Sequence, residues 1–167
     1  MSDKRKVLMI DDEPDLCIMV KTNLESTGEF EVVTSTDPTL AEQICAQEKP
    51  DVILLDNVMP NRKGSEIVKA FKSDSTTKHI PIIVVSGKGE MVYSKKKDQF
   101  QWLPGNPVAK QRGEIIDEKN PQKAAQQYGA EDYVSKPFTT EVLVGVIKEV
   151  LEKYGPKEED ASEGAAP

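Results

Sequence analysis

Three apolar runs and one short mixed run in this chain each stop on a side chain that can do chemistry. Val7-Leu8-Met9-Ile10 stops at Asp11-Asp12, Val52-Ile53-Leu54-Leu55 at Asp56, Ile82-Ile83-Val84-Val85 at Ser86, and a short run from Asp132 to Ser135 at Lys136. Brought together, three carboxylates would repel one another unless a cation sat among them. A hard divalent ion with oxygen ligands answers that, and Mg²⁺ usually meets a protein this way, beside a phosphate. Asp56 also has the chemistry of a carboxylate nucleophile that forms an acyl phosphate. Lys136 could meet the added negative charge as a compact ammonium, and Ser86 could donate a hydrogen bond. Singly, Asp11 could cap a helix, Asp56 end a strand and Lys136 lie on the surface; four strand ends of this kind in one chain argue for a site.

Such a site needs elements that converge. Four apolar residues before Asp56, two of them β-branched, read as a strand buried on both faces, as a parallel sheet requires. Met59-Pro60 then forces an extended or turn conformation, and Gly64 opens the next helix. The same βα alternation runs through the chain. Pro14 starts a helix whose stripe is Leu16, Met19, Val20 and Leu24, and Gly28 ends it. Phe30 to Thr34 reads as an edge strand, and Asp37-Pro38 starts a helix with Leu40, Ala41, Ile44 and Cys45 inward. Ile67, Ala70 and Phe71 mark the helix after Gly64, and Pro121 to Gly129 another. Leu143, Val146, Ile147, Val150 and Leu151 give the last helix a clean apolar face. Five strands alternating with helices predict a doubly wound parallel sheet. If the strand order is the flavodoxin-like 2-1-3-4-5, the carboxyl ends named above share one crevice.

Composition is consistent with that class. The chain has 167 residues, 37% hydrophobic and 31% charged, with a formal charge of -7. That suits one domain with a sizeable core. The negative balance argues against nucleic-acid binding. No apolar run is long enough to span a bilayer and no signal-peptide pattern follows Met1, so a cytoplasmic location is expected. Cys17 and Cys45 read as reduced core residues, and His79, the only histidine, as a strand-edge residue. Residues 1–155 are expected to form the domain and 156–167 a disordered acidic tail.

In combination these motifs resemble the receiver domains of two-component response regulators. They are the acidic pair Asp11-Asp12, the Asp-x-x-Met-Pro-x-x-x-Gly pattern from Asp56 to Gly64, Ser86-Gly87, and Tyr133-x-x-Lys136-Pro137-Phe138. The resemblance covers residues 5–87 and 121–154. It implies that Asp56 accepts a phosphoryl group from a histidine kinase or phosphotransfer protein, with protein binding as output. Asp12 and Asp56, with the Val58 backbone carbonyl, would ligate Mg²⁺, and Asp11 would act mainly through a bound water. Lys136 and Ser86 would hold the phosphoryl oxygens, Ser86 and Tyr133 would form the switch pair, and the Lys136–Pro137 bond would be cis. Val58 and Lys88 hold places that influence access of hydrolytic water. Such a protein is no turnover enzyme on external substrates. A haloacid-dehalogenase-like phosphatase would use similar groups, but its Asp-x-Asp follows the first strand. A receiver-like docking module that is never phosphorylated is the other alternative.

One departure from the pattern is large. Between Ser86 and Lys136 lie 49 residues, far more than in the family, and the surplus lies roughly in 88–118. Over 88–123 there are eight basic and five acidic residues, with Tyr93, Phe100 and Trp102 among them. This stretch is expected to be a solvated loop pinned by its aromatic residues, acting as a lid or docking arm beside the phosphate site.

Overall fold

The computed structural model describes residues 3–57, 59–86, 90–94, 99–103 and 129–155, with no statement on the side chains of residues 86, 90–94 and 99–103. Strands β1 (Arg5–Ile10), β2 (Phe30–Ser35), β3 (Val52–Leu55), β4 (Ile82–Ser86) and β7 (Asp132–Ser135) form one sheet in the order β2-β1-β3-β4-β7. Every pairing in it is parallel. With β7 as the fifth strand of the sheet, this is the expected flavodoxin-like order. The chain moves from β1 outward to β2 on one side and to β3 on the other, which creates the crevice at their carboxyl ends.

Alternation along the strands builds two cores. Leu8, Ile10, Ile53, Leu55, Ile82 and Val84 pack on one face with α2 (Ala41–Glu48) and α3 (Gly64–Ser73). Val7, Met9, Val52, Leu54, Ile83, Val85 and Val134 pack on the other with α1 (Pro14–Ser26) and α4 (Thr140–Tyr154). Successive strand side chains point to opposite faces, so a strand covered by helices on both sides is apolar throughout. All four residues of β3 are buried.

Helix starts and stops follow local chemistry. Pro14 occupies the first turn of α1, where its missing N–H costs nothing. The Thr139 side chain accepts from the Val142 N–H to cap α4, and the Asp37 carboxylate caps the 3₁₀ turn Pro38–Leu40 that leads into α2. Cys17 and Cys45 are buried free thiols on opposite faces of the sheet, which rules out a bond between them. Burial pushes both thiols up to about 11. His79 is exposed in the turn before β4.

Three expectations need correction. Met19 and Leu40 are exposed rather than part of their helices' buried stripes. In α1 the inward line is Cys17, Val20 and Leu24, spaced by three and four, and Met19 falls outside it; Leu40 ends the 3₁₀ turn before the α2 period begins. The inserted stretch is also not wholly loop. Strands β5 (Glu90–Ser94) and β6 (Gln99–Leu103) pair antiparallel, with Met91 opposite Trp102 and Tyr93 opposite Phe100. The β-branched and aromatic residues of the two runs favour a ladder. The rest of 88–118, the expected helix up to residue 128 and the tail 156–167 lie outside the described residues.

Candidate functional site

Backbone hydrogen bonds of the ladder set the carboxylates in place. The Asp11 N–H donates to Ser35 O at 3.1 Å, and the Asp56 N–H to Ile10 O at 2.9 Å, so both side chains leave the sheet at neighbouring strand ends. After Asp56 the chain turns sharply: Gly64 N–H donates to Asn57 O at 2.8 Å. A Cβ on Gly64 would stand 2.5 Å from the Asp56 carbonyl oxygen and 2.7 Å from the Asn57 Cα. Only glycine lets α3 start this close to the acceptor strand. Met59 is buried in the core, which pins the loop between them.

Asp11, Asp12 and Asp56 each offer a carboxylate oxygen within 4.8 Å of the others. Asp11 and Asp56 are buried, and Asp12 is half-buried. Lys136, buried at the end of β7, brings its ammonium to this cluster. Its Nζ donates to Asp11 Oδ2 at 2.7 Å, lies 3.4 Å from Glu13 Oε1, and stands 3.8 Å from Asp56 Oδ1. The Lys136–Pro137 peptide bond is cis, as the resemblance implies.

Burial works against the charges, and the charges answer it. Burial pushes the Asp11 carboxyl above its ordinary value, while the Lys136 hydrogen bond pulls it part of the way back. Burial would lower the Lys136 ammonium, but attraction to Asp56, Asp11 and Glu13 more than offsets this and holds it above its ordinary value. Among the described residues, three aspartates against one ammonium leave an excess of negative charge. The donors are all hard oxygens, and Asp12 Oδ1 is buried without a hydrogen-bond partner among the described residues. Both facts fit a small divalent cation. Asp11 has less to offer a metal, because Oδ2 is taken by Lys136 and Oδ1 accepts from the Glu13 N–H at 2.9 Å.

Tyr133 lies two strand positions from Ser135 on β7, pairs in register with Val84, and packs half-buried against the α2/α3 core. Burial pushes its hydroxyl above its ordinary value, opposed by a hydrogen bond with Ser135. Ser86 ends β4 directly opposite Ser135 in the ladder; its side chain, like all of Val58, Gly87 and Lys88, lies outside the described residues. The structure thus brings Asp11, Asp12, Asp56 and Lys136 together, with Tyr133 on the same strand as the lysine. Glu13 joins them unforeseen. Its signal in the sequence was a glutamate in the cap position of α1, two residues after Asp11, where glutamate serves a helix poorly.

Comparison with known proteins places the fold in a family. The family model described as the response regulator receiver domain matches residues 7–100, and the chain belongs to that family. The phosphate regulon transcriptional regulatory protein PhoB of Pseudomonas aeruginosa is 30% identical over 157 residues, covering 94% of this chain and 56% of that protein. Its counterpart in Escherichia coli K12 is 29% identical over 152 residues, covering 91% and 54%. The chain therefore spans about half the length of these curated relatives. Among solved structures, the chemotaxis response regulator CheY4 of Vibrio cholerae matches with a TM-score of 0.63 and 27% identity, over 89% of this chain and 99% of that one. No helix among the described residues is long and apolar enough to cross a membrane.

Proposed function

We propose that Asp56 is the phosphoacceptor of this receiver domain and that its phosphorylation controls binding to a partner protein. The observation that carries this reading is the ammonium of Lys136 standing 3.8 Å from a buried Asp56 at the carboxyl end of β3. In the transfer, an Asp56 carboxylate oxygen attacks phosphorus and forms the O–P bond as the donor's P–N bond breaks. The electron pair goes to the leaving imidazole nitrogen of a phosphohistidine on a histidine kinase or phosphotransfer protein, where a solvent proton can join it. Lys136 then neutralises the phosphoryl oxygens, with Ser86 as a donor from the end of β4. Asp12 and Asp56 would hold Mg²⁺ together with the Val58 carbonyl, and Asp11 would do so through water. Bound there, the ion would screen the approach of an anionic phosphate to an acidic site. Tyr133 and Ser86 form the switch pair in this reading, and the protein turns over no external substrate.

Acetyl phosphate with Mg²⁺ tests the assignment. Intact mass should show one phosphoryl group on the wild type and none on Asp56→Asn, whose circular dichroism should be unchanged. Labelling of the variant at normal stoichiometry would move the acceptor elsewhere. Steady hydrolysis of phosphate esters would favour a phosphatase.

A further inference from the structure

Lys136 has one carboxylate partner more than a phosphoryl-binding lysine needs. Asp11 and Asp56 are interior groups of the site, but Glu13, 3.4 Å from Nζ, has 56% of its side chain exposed. It occupies the N-cap position of α1 and makes no side-chain capping hydrogen bond. Its own backbone N–H is instead taken by Asp11 Oδ1. Caps favour Ser, Thr, Asp or Asn, so glutamate contributes little to the helix here. What it has over aspartate is one methylene of reach, spent on the lysine.

We propose that Glu13 is a positioning residue: it holds the Lys136 ammonium in a resting place shared with Asp11 and opposes its transfer to the phosphoryl group on Asp56. This deepens the acceptor reading above and rests on it. At 3.8 Å from Asp56 Oδ1 the ammonium is beyond hydrogen-bond length, while Asp11 holds it at 2.7 Å. Phosphoryl oxygens on Asp56 must draw it away from those two partners. Glu13 competes for the same donor, from the solvent side of the cluster. Losing Glu13 therefore frees the lysine without uncovering a buried charge, because Glu13 itself stays in water.

The test uses the full chain as wild type, Glu13→Gln and Glu13→Asp. Phosphorylation by acetyl phosphate is followed by intact mass, and the Lys136 side-chain ammonium by NMR in metal-free protein. Glu13→Gln should be phosphorylated roughly two- to fivefold faster, the worth of a half-exposed ion pair, with its Lys136 signal moved and its circular dichroism unchanged. Glu13→Asp keeps the charge but not the reach, so it should resemble Glu13→Gln on both readouts. If Glu13→Asp behaves as wild type while Glu13→Gln is faster, only the charge matters and the holding role is wrong. An unchanged rate and an unmoved signal in Glu13→Gln overturn it as well. Absence of label on the wild type overturns the acceptor reading, and this proposal with it; the wild-type arm separates that failure from the others.

Discussion

Two lysine–carboxylate clusters stand at opposite ends of the same sheet, and they are built differently. At the amino ends of β4 and β7, Lys72 donates to Glu131 Oε1 at 2.6 Å and to the carbonyls of Ile80 and Lys78 at 2.9 and 3.2 Å. Glu131 Oε2 accepts from the Ile82 N–H at 2.6 Å, and its own N–H donates to Ile82 O. One cation meets one anion, and the remaining donors and acceptors go to backbone. At the carboxyl ends, one ammonium among the described residues faces Asp11, Asp56 and Glu13, with Asp12 beside them. Among the described residues the first cluster is charge-balanced and saturated, so it ties α3 to the strands. The second carries excess negative charge and a buried Asp12 oxygen unserved among the described residues. An unbalanced cluster costs stability unless a ligand completes it, and that imbalance separates a site from a staple.

The largest contrast between the two ends should be in metal binding. Asp12→Ala is expected to weaken Mg²⁺ binding at least about tenfold, since even outer-shell changes around a metal cost that much. Lys72→Met should leave Mg²⁺ affinity unchanged. Titration calorimetry reads both; equal affinity in wild type and Asp12→Ala would remove Asp12 from the metal site.

Next in size is the effect on stability, where the order reverses. Lys72→Met leaves the Glu131 carboxylate four-fifths buried without its cation and should cost about 2 kcal/mol, somewhat below the range for fully buried pairs. Urea unfolding checks this in metal-free buffer. Asp12→Ala, which removes one charge from a repelling set, should unfold at the same or a higher urea concentration than wild type. A loss there comparable to that of Lys72→Met would erase the distinction drawn between the clusters.

The two ends were also unequally legible. The site residues could be read because each follows a strand-like run, apolar in all but the last, and the parallel order then forces those ends together. Lys72 and Glu131 carry no such mark. They lie 59 residues apart, and their pairing follows only from where α3 and the residue before β7 end up in three dimensions. Buried strands were easy, since β3 is apolar on both faces. Amphipathic helices were harder: in α1, Ile18 and Met19 are exposed beside the buried Cys17 and Val20, and apolarity alone could not say which pair faces the sheet. The β5–β6 pairing was hard to read because its β-formers sit in a stretch rich in charge, with eight basic and five acidic residues over 88–123. Glu13 was hidden because its role depends on where a lysine 123 residues away places its ammonium.

The smallest effect expected is one of pH, and it again sets a balanced pair against the unbalanced site. Glu42 is held by the Arg62 guanidinium through two charge-assisted hydrogen bonds, and that contact lowers its carboxyl below the ordinary value of 4.5. Its contribution is present above that value and is lost as pH falls through the lowered one. Asp11 runs the other way. Burial raises its carboxyl above the ordinary value of 3.8 despite the Lys136 hydrogen bond, so the folded protein binds this proton more tightly than the unfolded chain does. The unfolded chain then carries fewer protons at that position. The Asp11 contribution to stability accordingly falls as pH rises from 3.8 through the raised value. The urea midpoint of metal-free wild type, followed between about pH 4 and about pH 7, should therefore decline relative to that of Asp11→Asn as pH rises. Mg²⁺ should shrink the decline, because a cation favours the charged carboxylates of the cluster. A difference between the two proteins that stays constant with pH would mean that burial does not raise the Asp11 carboxyl in the metal-free protein.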